Sequence, residues 1–156
     1  MVPKPHIPPW PPALDRDDYN SINIFWTEAD FSDYVSTQAA IGIKVPQLDF
    51  ITDKTGMAVS QQQRKVMYEK TSRILTTLFG MHKDPPTWKK KTQFASNLFS
   101  NTMQIKFIEF CLCQDDWKIE KYGSIKYPDW VKGSQDTGQL KCMQTLPFLF
   151  LMTNIF

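Results

Sequence analysis

The sequence predicts a mostly α-helical protein, a small bundle of three to four helices with a minor β-hairpin and an extended proline-rich N-terminal arm. Apolar residues recur at i, i+3, i+4 and i+7 in several segments that follow capping residues, which is typical of amphipathic helices. Six prolines stand among the first twelve residues. The 156 residues fit one such domain with tails.

Three segments are expected along the chain: an arm over 1–14, a helical domain over 15–132, and a linker with an apolar, disordered tail over 133–156. Proline fixes φ and lacks a backbone donor, so the arm cannot join a helix or the interior of a sheet. The arm is interpreted either as a ligand for a proline-recognising domain or as an extended segment whose Trp10 packs on its own domain.

The first helix is predicted to begin after Thr27, because Asp30 stands three residues on and completes an acidic capping box. Gly42 is a natural stop. Two short apolar runs then flank a loop that ends in Gly56, which predicts the hairpin near 48–59. Two strands alone are marginal in water, so this hairpin must lean on helices.

The second and third helices have separate start signals. Ser60 and Gln63 form a capping box before the longest amphipathic stretch, which Gly80 is expected to end. Thr87 is predicted to cap the third helix, which would place Lys89–Lys91 in its first turn. Cations there oppose the helix dipole, and a run placed against that preference suggests an anionic partner.

The fourth helix is predicted to start at Asp115 or Asp116, either of which can cap it. Gly123 should weaken this helix, and Tyr127–Pro128 should close it. The polar stretch that begins at Gly133 is interpreted as the linker. Trp88, Trp117 and Trp130 stand beside helix ends and are expected to be buried anchors between helices.

Charge is unevenly distributed. Residues 1–53 hold three basic and eight acidic side chains, a net charge of −5, whereas residues 54–91 hold nine basic and two acidic ones, a net charge of +7. The first functional hypothesis is therefore a binding module that docks nucleic acid through a basic helix pair within 61–91. The candidate residues are Arg64, Lys65, Lys70, Arg73, Lys89, Lys90 and Lys91.

Three alternatives remain open for this basic segment and for the protein. The basic face could simply be solvated, or it could pair with the acidic first segment of the same chain. The protein could also be a protein–protein interaction domain that uses the proline-rich arm and exposed aromatic residues. Sequence-independent binding to duplex DNA would distinguish the first hypothesis from these.

The sequence favours a protein that is not an enzyme and predicts no catalytic, cofactor-binding or metal-binding residue and no small-molecule ligand. Its two histidines lack a recognisable partner, and Cys111, Cys113 and Cys142 lack zinc-ligand spacings. The cysteines are interpreted as reduced thiols of a nuclear or cytoplasmic protein. No run reaches the ~18 apolar residues that a membrane span needs.

An ordered set of short motifs resembles a family of uncharacterised proteins from mushroom-forming (basidiomycete) fungi. The set comprises a Trp-Pro-Pro arm, Pro-Pro-x-Trp-x-Lys at 85–90, Asp-Trp-Lys-x-Glu-Lys at 116–121 and Tyr-Pro-x-Trp at 127–130. The resemblance implies a small, mostly helical domain in an intracellular fungal protein, and it brings no catalytic residues. The chain departs from the family pattern after Trp130, where it ends in a short apolar run.

Overall fold

A computed structural model describes residues 6–19 and 23–136, which are mostly helical. The prediction of a mostly α protein is confirmed, with four α-helices in this part of the chain. They are α1 (Glu28–Ala40), α2 (Gln61–Gly80), α3 (Gln93–Lys106) and α4 (Trp117–Asp136). Three short 3-10 turns accompany them, at Arg16–Asp18, Trp88–Lys90 and Ile108–Phe110.

The first two helices begin where their capping residues predict. Thr27 Oγ1 accepts a hydrogen bond from the Asp30 amide at 3.1 Å, and the Asp30 carboxylate accepts one from the Thr27 amide at 3.0 Å. The hydroxyl of Ser60 accepts a hydrogen bond from the Gln63 amide at 3.1 Å. Local side-chain capping therefore suffices to set both starts.

The predicted hairpin at 48–59 is wrong. Only one antiparallel bridge, between Thr52 and Ala58, forms there, and no strand is present among the described residues. The Asp53 carboxylate organises the intervening loop, because its Oδ1 accepts hydrogen bonds from the Thr55 amide at 2.8 Å and the Met57 amide at 3.1 Å. The first apolar run folds into a turn, in which the Ile51 amide donates to the Leu48 carbonyl at 3.1 Å. Backbone pairing across the loop is therefore short, with the Val59 amide donating to the Ile51 carbonyl at 3.0 Å and the Asp53 amide to the Met57 carbonyl at 2.8 Å.

The third helix starts later than predicted. Residues Trp88–Lys90 form a separate 3-10 turn, and α3 begins at Gln93 with Thr92 as its cap. The Thr92 hydroxyl accepts a hydrogen bond from the Ala95 amide at 3.2 Å, whereas Thr87 makes no side-chain cap. The lysines at 89–91 therefore lie outside α3. They do not oppose its dipole, so the dipole gives no reason to expect an anionic partner for them.

The fourth helix continues past residue 127, where it is predicted to close, and past residue 133, where the linker is predicted to begin. It passes through Pro128 and Gly133 and continues to Asp136, so the helix does not close at Tyr127 and no linker begins at residue 133. Pro128 is exposed, while Tyr127 and Trp130 beside it are buried. Burial of these aromatic rings offsets the hydrogen bond that proline removes.

Two predicted tail segments are only partly described. Residues 6–15 have no regular secondary structure, and the Pro8 carbonyl accepts a hydrogen bond from Asn101 Nδ2 at 2.8 Å. The first five residues of the predicted arm lie outside the described residues, as does the predicted apolar tail from residue 137 onwards.

The expected tryptophan anchors are confirmed by their burial. Trp88, Trp117 and Trp130 all belong to the main hydrophobic core. The Trp117 ring packs 5.4 Å from that of Phe50, and the Trp88 ring packs 4.9 Å from that of Phe99, between ring centroids. Trp117 thus packs α4 against the loop before α2, while Trp88 of the 3-10 turn packs against α3 and lies 5.8 Å, between ring centroids, from Tyr127 of α4.

Gly123 supports this packing instead of weakening it. A Cβ atom at residue 123 would fall 2.1 Å from Cζ2 of the buried Trp88 ring, so α4 can approach the ring only because residue 123 has no side chain. A Cβ placed at Gly133, in the same helix, has no neighbour within 4 Å among the described residues apart from the adjacent residues and the backbone of α4 itself.

We predict that Gly123→Ala destabilises the protein by about 1–3 kcal/mol, because overpacking at Trp88 outweighs the gain in helix propensity. The matched control, Gly133→Ala, should raise the free energy of unfolding by up to about 1 kcal/mol. Urea denaturation of the three proteins measures both effects. Equal stabilisation by the two substitutions would show that Gly123 carries no packing constraint.

Candidate nucleic-acid interface

Arg64 is a structural residue that fastens the 49–59 loop to α2. Its guanidinium group binds the Asp49 carboxylate at 2.8 Å, and its Nε donates to the Val59 carbonyl at 3.1 Å. At this residue, the basic segment therefore pairs with the acidic first segment of the same chain, as one of the alternatives drawn from the sequence expects. Arg64 is therefore not available as a cation for an external phosphate.

Lys91 is also engaged within the protein. Its Nζ lies 2.9 Å from the Glu120 carboxylate of α4 and 4.7 Å from the centroid of the Trp88 ring. Lys89 and Lys90 are exposed in the 3-10 turn. Of the predicted lysine run, two residues thus face solvent and the third joins the turn to α4.

The seven predicted residues do not form one cluster. Residues 89–91 precede the start of α3, whereas the charges of Arg73 and of Lys106, the last residue of α3, both act on Lys70. Fourteen helical residues at 1.5 Å each separate the two ends of α3 by about 20 Å. The basic residues are therefore divided between the two ends of this helix.

The positive charges of Arg73 and Lys106 both act on Lys70, and we refer to these three residues as the α2–α3 patch. Burial lowers the pKa of Lys70, and the positive charges of Lys106 and Arg73 lower it further. Arg73 and Lys106 are exposed, and Lys70 is half-buried. Their mutual repulsion opposes folding, and a bound anion would relieve it.

Lys65 lies on the exposed face of α2, two turns before Arg73. Glu69 occupies the turn between them and is exposed as well. Residues four apart face the same side of a helix, so the carboxylate interrupts this row of cations. The positive potential consequently increases towards Arg73 and the end of α3.

Lys106 is the residue that the sequence did not single out. It belongs to the patch only because α2 and α3 pack together, with Thr71 Oγ1 3.7 Å from Met103 Sδ. Helical periodicity assigns Met103 to a buried face but does not show which residue of α2 it meets. The sequence indicates the position of Lys106 only by placing it three residues after Met103, which belongs to the buried face.

Cys111 and Cys113 are free thiols that are half-buried beside the N-terminal segment. Burial is the main cause that raises the pKa of Cys111 to about 11, and burial also raises the pKa of Cys113. Both thiols are thus protonated and weakly nucleophilic at neutral pH. Within residues 6–19 and 23–136, no three histidine, cysteine or carboxylate side chains converge on a possible metal position.

Lys118 is fully buried at the start of α4, which nothing in the sequence indicated. Its Nζ donates a hydrogen bond to the Ile24 carbonyl. Burial lowers the pKa of Lys118 from 10.5 to about 8, and the nearby Cys113 thiol partly opposes this shift. With no exposed surface, the ammonium group acts as an internal tie between α4 and residue 24.

Comparisons with known proteins add no further constraint on this site. The chain matches no protein-family model, no curated protein and no solved structure. In the described part of the chain, no helix combines the length and apolar character needed to cross a membrane.

The buried lysine predicts a specific pH dependence of stability. Its folded pKa of about 8 lies below the unfolded value of 10.5, so the unfolded chain binds more protons between these pH values and stability rises with pH there. The free energy of unfolding of the parent protein minus that of Lys118→Met should therefore increase by about 1 kcal/mol from pH 8 to pH 9.

Chemical denaturation of both proteins at each pH measures this difference. Both proteins carry Cys113→Ser, because that thiol interacts with Lys118, and subtracting the variant then removes the titration of Cys111, which is common to both. A difference that stays constant from pH 8 to pH 9 would mean that Lys118 titrates normally.

Proposed function

We propose that this protein is a small helical binding module that docks the phosphate backbone of duplex DNA on the α2–α3 patch. The observation that carries the proposal is the convergence of Lys70, Arg73 and Lys106 from two helices. The proposal keeps the nucleic-acid hypothesis but moves its centre from the lysine run at 89–91 to the middle of α2 and the end of α3.

The patch has the physical properties that a phosphate ligand requires. Lysine and arginine side chains bind DNA largely by displacing the cations condensed on it, a gain that does not depend on base sequence. Arg73 can make bidentate contacts with a phosphate, while the two lysines act as point charges. Folding places these like charges together at a cost in stability, which a bound polyanion would offset.

Arg64 and Lys91 are less suited to this role because a carboxylate lies against each of them and repels a phosphate. Arg64 binds Asp49 at 2.8 Å, and Lys91 binds Glu120 at 2.9 Å. Lys89 and Lys90 remain accessible at the opposite end of α3 and would contribute only long-range attraction.

A protein-binding role is the second candidate, and exposed apolar side chains favour it. Trp10 is 53% exposed, and Ile105 and Ile108 near it are 52% and 36% exposed. This surface is apolar and lacks the positive charge of the α2–α3 patch. The two candidate functions therefore use different residues and can be tested separately.

We predict weak binding of the full chain to unrelated DNA duplexes, with a log–log salt slope of about −3 for three phosphate contacts. Changing Lys70, Arg73 and Lys106 together to Gln should bring that slope close to zero, because each lost contact removes roughly one unit. Fluorescence anisotropy of a labelled duplex at several salt concentrations measures the slope.

Two control variants separate local contacts from net charge. Changing Lys44, Lys54 and Lys132 to Gln removes the same charge from exposed residues elsewhere and should leave the slope nearly unchanged. Changing Lys89 and Lys90 to Gln tests the site that the sequence indicated. The patch proposal would be wrong if the salt slope fell equally in the patch variant and in the Lys44, Lys54 and Lys132 variant while both melting temperatures stayed unchanged. Binding would then depend on net charge alone.

A further inference from the structure

A pocket of about 600 Å³ lies between α1, the segment that follows α1, and α4. It is lined by Phe31 and Val35 of α1, by residues 44–47 and by Lys121 of α4, and we call it the α1–α4 pocket. Small-molecule sites in proteins have volumes of about 300–1,000 Å³ and apolar walls, with a few polar groups that orient the ligand. The α1–α4 pocket has this size and this composition.

The apolar wall of the pocket is held in place by the protein core. Phe31 is 6% exposed and belongs to the core, and Val35 and Val45 are half-buried against it. Pro46 extends the wall towards solvent. An aliphatic chain can therefore leave water against a surface that is already packed, without the cost of ordering that surface.

The charged residues that line the pocket are both cations. Lys44 and Lys121 come from different elements, and no described carboxylate joins them in the lining. Lys44 is exposed, and Lys121 is half-buried. Charge complementarity therefore favours a ligand that carries a negative charge beside its apolar part.

The cavity next to this pocket shows the contrast. It shares Gln47 and Lys121 with the α1–α4 pocket and is lined by three lysines and three carboxylate side chains. These charges balance, so the adjoining cavity has no preference for one sign. The preference for an anion is specific to the apolar pocket.

Lys121 is held in position by a contact that a ligand can share. Its Nζ lies 3.1 Å from the Glu28 carboxylate and 5.8 Å from the centroid of the Phe31 ring. The Glu28 side chain is 60% exposed, and exposed ion pairs contribute little to stability. Because an ammonium group has three donors, Lys121 can bind a second carboxylate beside Glu28.

We propose that the α1–α4 pocket binds a small amphipathic anion, a fatty carboxylate of medium chain length. Its alkyl chain packs on Phe31, Val35 and Val45, and its carboxylate binds Lys44 and Lys121. This class carries no other polar group that the apolar wall would leave without a hydrogen bond. The proposal is independent of DNA binding, because the pocket contains no residue of the α2–α3 patch.

Titration of the 15N-labelled full chain with octanoate tests this site. Saturable changes in backbone amide chemical shift are expected at 31–35, at 44–47 and around residue 121. Octanoate should bind roughly tenfold more tightly than hexanoate, because it buries two more methylene groups. No saturable change, or changes centred on other residues, would overturn the proposal.

Two further probes test the class of ligand. Octyltrimethylammonium has the same chain as octanoate and the opposite charge, so it should bind at least about tenfold more weakly. Equal affinities would mean that the pocket recognises only apolar surface, and the proposal would be wrong. N-acetylleucine should also bind more weakly, since its amide must lie against the apolar wall. Tighter binding of N-acetylleucine would assign the pocket to peptide C-termini instead.

Substitutions at the charged residues should change the affinity for octanoate in opposite directions. Lys44→Gln and Lys121→Gln should each weaken binding by roughly two- to fivefold, whereas Glu28→Gln should strengthen it by a similar factor, because a like charge is removed. Lys132→Gln, an exposed change in α4, is the matched control and should have no effect. Lys44 lies outside the helices, so its variant keeps the test informative if Lys121→Gln fails to fold. Unchanged affinity in Lys44→Gln and Glu28→Gln would contradict the assigned position of the carboxylate.

Discussion

The start of α4 is bound to the chain segment that precedes α1, and the remaining packing depends on this attachment. The Trp26 carbonyl accepts hydrogen bonds from the Gln114 amide at 2.7 Å and from Trp117 Nε1 at 3.0 Å. Two residues earlier, the Ile24 carbonyl accepts one from the buried Lys118. These bonds satisfy backbone oxygens that would otherwise be buried without partners, since this segment belongs to no helix. Because α4 is fixed at its start, its later turns can meet Trp88 and Tyr68 of α2 in one orientation.

The starts of α1 and α2 could be predicted because they depend on neighbouring residues. The conformation of the 48–59 loop and the effects of Pro128 and Gly123 on α4 could not. Thr27 and Ser60 are capped by amides within three residues, which the sequence displays directly. Pro128 continues a helix because aromatic rings on either side of it are buried by distant parts of the chain. Gly123 has the opposite effect to the one its intrinsic propensity suggests, because a tryptophan from another element occupies the space beside it.

The candidate interface could likewise be predicted only in part, because some of its features follow from neighbouring residues and others from tertiary contacts. Counting charges along the chain identified a basic region, and Lys70 and Arg73 of that region do contribute to the α2–α3 patch. The counting could not show that Arg64 and Lys91 are paired, since their partners, Asp49 and Glu120, are 15 and 29 residues away. It also could not bring Lys106 to Lys70, because that contact exists only after α2 and α3 pack.

The most direct measurement of the central claim is a map of backbone amide chemical shifts while duplex DNA is added to the 15N-labelled full chain at low salt. Phosphate binding at the patch predicts that the largest changes occur at 70–73 and at Lys106, and that added salt reverses them. Changes centred on residues 89–91 would place the interface at the other end of α3. The absence of any change at low salt would contradict DNA binding.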